Sequence, residues 1–144
     1  MNEKTKKAIE ILENENVTLV LLSETETVKS SERGVATLLK LQSEGKDLSS
    51  FCAADKVVGK GAAVLFSLLK IREVYSEVMS EGAKKIFDEN DIPAFFKTSC
   101  KNIINRKGDG LCPIEEAVGD EKNLEKALEL IKGRILKMKN NSSK

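Results

Sequence analysis

The chain has 144 residues and a formal net charge of +1, from 24 Lys or Arg against 23 Asp or Glu, with no His. That length suits one domain, and 40% apolar residues supply a core that must be aliphatic, since there are five Phe, one Tyr and no Trp. The near-neutral balance gives no strong pull toward nucleic acid or an anionic membrane. The lack of His excludes a Ser-His-Asp triad, a Cys-His dyad and imidazole metal ligands.

The first helical stretch reads from Lys4 to Glu13, with Ala8, Ile9 and Leu12 inward. Val17–Leu22 (VTLVLL) is a short apolar run rich in branched residues, which predicts a strand buried on both faces. Ser23–Glu26 turns the chain, and Thr27–Ser30 returns as the second strand of a hairpin. Ser30 and Ser31 offer N-caps to a helix that Gly34 opens and Gly45 stops, carrying Val35, Leu38, Leu39 and Leu41. Residues 49–70 read as the most apolar helix, hence the central one. Glu73–Met79 predicts a strand, Glu81–Asn90 a helix ending before Pro93, and Ala94–Thr98 another strand. Cys100–Cys112 is irregular, Pro113–Val118 a short helix, and Asp120 is expected to cap a final helix with Leu124, Leu128, Ile131 and Ile135 inward. The expected fold is α/β, a three-layer αβα sandwich around a mixed sheet, forming a single domain over 1–139 with a disordered tail over 140–144.

Three cysteines (Cys52, Cys100, Cys112), the opening MNEKTKKAIE without an apolar run, and no window approaching ~20 apolar residues predict a cytoplasmic protein with reduced thiols and no membrane association.

Three stretches carry chemistry. In FCAADKVVGKG, a helix reading makes Cys52 the N-cap and puts Asp55 at N3, where a carboxylate complements the helix dipole. Gly59 and Gly61 would then each cost a helix interior about 1 kcal/mol relative to Ala, so a strand or a ligand should approach that backbone closely. Lys56 and Lys60 would share a helix face and either snorkel to water or hold a phosphate. The spacing is not that of a Walker A loop. In NRKGDGLCPIEE, Gly108 and Gly110 permit a nest of backbone amides able to hold an anion. Pro113 suits the first helical position, with Cys112 as N-cap and Glu115 at N3; Asn105, Arg106 and Asp109 add polar groups. In Ser80-Glu81-Gly82, a strand end meets a helix start, where ligands collect in α/β sheets. Taken singly, this last stretch reads as Ser80 capping a helix.

Together FCAADKVVGKGAAVL, VYSEVMSEGAKKIF and NRKGDGLCPIEEAV resemble a family of small prokaryotic proteins with a cytidine-deaminase-like fold and no established activity. The likeness spans most of residues 15–118. It implies a nucleoside or nucleotide pocket between two helix N-termini. Zinc deaminases carry His-x-Glu or Cys-x-Glu at one helix start and Pro-Cys-x-x-Cys at the next. Here Cys52-Ala53-Ala54-Asp55 looks like a remnant of the first, Cys112-Pro113 reverses the order of the second, and no Cys-x-x-Cys exists.

The leading expectation is therefore a zinc-independent nucleoside- or nucleotide-binding protein, with catalysis undecided. Lys56, Lys60 and Arg106 would neutralise phosphate. Ser80, Glu81, Asn105, Gly108, Asp109, Gly110 and Cys112 would line the pocket. Asp55 would be the reactive carboxylate, with Cys52 beside it. No other cofactor is expected, and a homodimer is compatible with the hairpin and the final helix. Two alternatives stand: a redox or regulatory module using Cys52 and Cys112 at helix starts, and a degenerate deaminase holding zinc with three thiolates.

Overall fold

Leu19–Leu22 is buried along its whole length as strand β1, and it pairs antiparallel with β2 (Thr27–Ser30). The two faces of β1 serve different clusters: Leu19 and Leu21 enter the main core, Val20 and Leu22 a smaller one. That is the pattern of a strand covered on both sides. The computed structural model describes residues 1–32, 35–104, 108 and 110–142.

The full order is α1 (Glu3–Asn14), β1, β2, α2 (Ala36–Ser43), β3 (Cys52–Val58), α3 (Lys60–Leu68), β4 (Glu73–Ser80), α4 (Glu81–Glu89), β5 (Ala94–Cys100), α5 (Pro113–Val118) and α6 (Leu124–Ser142). Among the described residues five strands form one mixed sheet in the order β2-β1-β3-β4-β5. β1 meets β3 antiparallel, while β3–β4 and β4–β5 are parallel.

The main correction concerns residues 49–70, which are not one helix. Cys52–Val58 is the middle strand of the sheet, and only Lys60–Leu68 is helical. An unbroken apolar run has no period to separate strand from helix, and Ala53-Ala54 favours the helical reading. Gly59, extended at φ −102° and ψ −171°, marks the boundary. Gly59 is therefore the cap of α3 and Gly61 lies in its first turn. Lys56 lies on β3 and shares no helix face with Lys60.

Helix α1 packs on one face of β1 and β3, through Ala8 and Leu12 against Val20, Leu22 and Ala54. On the other face α3 is buried all round. Ala62, Ala63, Leu65 and Phe66 face the main core, and Val64 meets Val118, Ala127 and Ile131 from α5 and α6. Phe66 and Phe87 join α3 to α4 with ring centroids 6.3 Å apart.

Gly45 stops α2 as expected, at φ +71°, with its amide bonded to Gln42 O and that of Lys46 to Leu41 O. Gly34, expected to open α2, lies outside the described residues, as does Arg33. Asp120 is not the cap of α6: Asn123 holds that place, its side-chain oxygen accepting the Lys126 amide and its carbonyl the Ala127 amide. α6 runs to Ser142, into the stretch expected to be a tail, and residues 143–144 lie outside the described residues. Among the described residues no helix is long and apolar enough to cross a membrane.

Candidate functional site

The parallel strands β3 and β4 each end where a helix begins, at Gly59–Lys60 and at Ser80–Glu81. The chain after β5 returns to the same edge, where Ile104 bridges Leu111 and the Cys112 amide donates to Ile103 O. Pro113 then starts α5, with Cys112 as its N-cap. Of the expected meeting between the chain around 52–60 and that around 105–116, the structure brings together Gly59 and Lys60 with Glu115 of α5, whereas Cys52 stands at the opposite end of β3.

At the centre is Glu115, 3% exposed. Its Oε1 accepts the Lys60 amide at 2.9 Å and the Ser80 hydroxyl at 3.2 Å; its Oε2 accepts the Ile103 amide at 2.8 Å. An internal carboxylate thus sits at the positive end of α3, a position helix ends offer to anions. The sequence marks Glu115 only as the third residue of its own helix. The available signal was weak: Cys112 is a poor cap, and it makes no side-chain cap bond.

The glycines explain the approach. A Cβ at Gly61 would stand 2.3 Å from Ile114 Cγ2, and one at Gly59 would stand 2.9 Å from Ile103 Cγ1 and 3.0 Å from Glu115 Oε2. The close neighbour expected at these glycines is therefore the protein's own chain around Ile103 and α5. At Gly82 the neighbour is Lys60, whose side chain crosses α4 there and donates from Nζ to Gly119 O at 2.7 Å.

Beside this crossing lies a groove of about 270 Å³, walled by Lys60, Gly82, Lys85, Ile86 and Glu89 on one side and by residues 119–122 on the other. Ser80, the N-cap of α4, and Glu81, its first residue, precede Gly82 without lining the groove. Gly108, at φ +74°, and Gly110 belong to the exposed connection after β5. Asn105, Arg106 and Asp109 lie outside the described residues.

Asp55 does not line that groove. It sits inside β3 between Leu19 and Ser76, four residues before Gly59. Burial pushes its carboxyl up to about 7, against the opposing pull of hydrogen bonds from the Val57 and Lys56 amides. Lys56, the next residue of β3, does not line the groove either.

The three thiols do not gather. Cys52 is fully buried at the start of β3, paired with Leu22 and Glu73. Seven strand residues, roughly 20 Å, separate it from the edge holding Cys100 and Cys112. It is no helix cap, so the dipole argument for its reactivity falls, and with it the pairing of Cys52 with Cys112. Burial, then the charges of Glu115 and Glu81, push the Cys100 thiol above its usual range. Among the described residues no three His, Cys, Asp or Glu side chains are grouped to hold a metal ion. The three-thiolate zinc site is excluded by this geometry.

The fold and this edge define an α/β protein whose five-stranded mixed sheet is closed at its parallel-strand ends by a buried glutamate. A family model described as TM1506, domain of unknown function (DUF1893), matches residues 7–135. The chain belongs to the DUF1893 family. It is similar to the crystal structure of a DUF1893 family protein (TM1506) from Thermotoga maritima, with a TM-score of 0.84 and 20% identity over 93% of this chain and 92% of that chain. At that identity the likeness shows the fold. No curated protein matches the chain.

Proposed function

We propose that this protein binds a nucleoside or nucleotide in a deaminase-like fold that works without catalytic zinc. The observation that carries the reading is the groove at Lys60 and Gly82. It opens where β3 and β4 end, the usual position of ligands in sheets of this kind. Its volume of about 270 Å³ lies just under the roughly 300–1,000 Å³ of typical small-molecule pockets. Lys60, Lys85 and Lys122 offer cations to a phosphate beside the carboxylates of Glu89, Asp120 and Glu121, and Ile86 offers an apolar surface to a base. Ser80, Glu81, Gly108, Gly110 and Cys112 remain candidate ligand contacts in this reading, and Asn105, Arg106 and Asp109 are candidates on the sequence alone. A hairpin feeding a mixed sheet, with helices starting at successive strand ends, supports the deaminase-like description.

Asp55, with its carboxyl raised to about 7, lies outside the groove and takes no part in the binding proposed. Binding itself rests on Lys60 and the groove.

Thermal shift and titration calorimetry against nucleosides and their mono-, di- and triphosphates test this. A stabilising shift with at least one nucleotide is expected, weakened about tenfold or more in Lys60→Met, in line with the loss of one charged hydrogen bond. No shift with any nucleotide at millimolar concentration ends the reading.

A further inference from the structure

Lys60 reaches across the groove it lines. Its backbone amide is held by Glu115, and its ammonium donates to Gly119 O at 2.7 Å. To get there the side chain lies along Gly82, where an added Cβ would stand 2.4 Å from Cε, 3.0 Å from Cγ and 3.2 Å from Cδ. Gly119 is the C-cap of α5, at φ +53°. The residues after it, Asp120–Lys122, form the groove wall opposite α4 and lead into α6. One ammonium thus ties the first turn of α3 to the connector between α5 and α6. Its acceptor is a neutral carbonyl. The bond is already charge-assisted through its donor; a phosphate oxygen adds a full negative charge and so attracts the ammonium more strongly than a carbonyl dipole does.

We propose that Lys60 is a latch: its bond to Gly119 holds the 119–123 connector against the groove, and a phosphate ester entering the groove draws the ammonium away and frees the connector. The trigger rests on the nucleotide reading above, whereas the latch rests on the contacts alone. Gly82 is part of the device, because only a residue without a side chain leaves the path of Lys60 open.

Amide hydrogen exchange on the full chain tests it, with Lys60→Met, Gly82→Ala and the wild type. Gly82→Ala keeps the lysine and displaces it, so it separates the latch from mere loss of charge. In both variants the amides of 119–123 are expected to exchange about tenfold faster, with β3 and β4 unchanged. Connector exchange equal to wild type in both variants overturns the latch. In the wild type, adenosine monophosphate or inorganic phosphate is expected to produce the same acceleration. A nucleotide that binds by calorimetry yet leaves the connector unchanged overturns the trigger while the nucleotide reading stands. No binding at all removes both the trigger and that reading.

Discussion

Ser80 Oγ accepts the Ala83 amide at 3.1 Å and donates to Glu115 Oε1 at 3.2 Å, so one hydroxyl both caps α4 and anchors α5. Three segments distant in sequence meet there: the start of α3, the start of α4 and the chain after β5. The edge is held by hydrogen bonds from two backbone amides and one hydroxyl to a single carboxylate.

Removing that carboxylate leaves the Lys60 amide, the Ile103 amide and the Ser80 hydroxyl without their acceptor. Glu115→Ala is expected to lose about 3 kcal/mol of stability, and Glu115→Gln about 1–2 kcal/mol because it keeps one carbonyl oxygen. Urea unfolding at neutral pH measures both. An Ala variant as stable as the wild type would contradict the arrangement.

Gly61→Ala should destabilise despite the better helix propensity of Ala. The gain of about 1 kcal/mol is opposed by the 2.3 Å approach of Ile114 Cγ2, and overpacking of this kind costs about 1–3 kcal/mol. In an Ile114→Ala background the obstructing methyl is gone, and the same glycine substitution should become neutral or stabilising. A double-mutant cycle by chemical denaturation reads the coupling; strict additivity would show that the contact carries no strain.

Asp55 sets a pH dependence with a definite sign. Its carboxyl is raised from 3.8 to about 7 in the folded chain, so the native state binds the proton more tightly than the unfolded state. The associated stability is complete below about pH 4 and is lost as pH rises through about 7, with a slope of at most about 1.4 kcal/mol per pH unit. Asp55→Asn should flatten this part of the stability profile and stabilise the protein at pH 8. A profile that is unchanged in the variant would remove Asp55 as its source.

The thiols should react in a fixed order. Cys52 is buried in the sheet and is expected to resist alkylation until the protein unfolds. Cys100 and Cys112 are partly exposed, but the raised pKa of Cys100 keeps its thiolate fraction low at neutral pH. Cys112 should therefore label first, Cys100 more slowly and with a steep rise at alkaline pH. Mass spectrometry of timed alkylation reads this, and early modification of Cys52 would contradict its placement.

Much of the fold was legible because the local signals were strong. VTLVLL announced a doubly covered strand, Gly45 ended α2, and Pro113–Val118 is the predicted short helix. Cys52–Val58 was not legible as a strand. Every side chain from Phe51 to Ala54 is buried, and a segment covered on both faces shows no alternation. A second irregularity lies nearby. Ala53 and Val58, five residues apart, enter the same core, as do Val74 and Met79. The alternation therefore slips in both strands, beside the paired residues Asp55 and Ser76. Ser76 Oγ donates to Val78 O across the slip, which no period-2 reading anticipates.

The sequence by itself determined the class of protein, an aliphatic α/β domain, and the stretches that gather at its parallel-strand edge. It did so through composition, turn residues and apolar runs, which act over a few neighbouring residues. Only the tertiary structure decided that Glu115 fills the end of α3, that Ile103 and α5 are the reason for Gly59 and Gly61, and that Cys52 stands far from the other thiols. These are contacts between segments tens of residues apart, fixed by which strand lies in the middle of the sheet, and no local pattern records that choice.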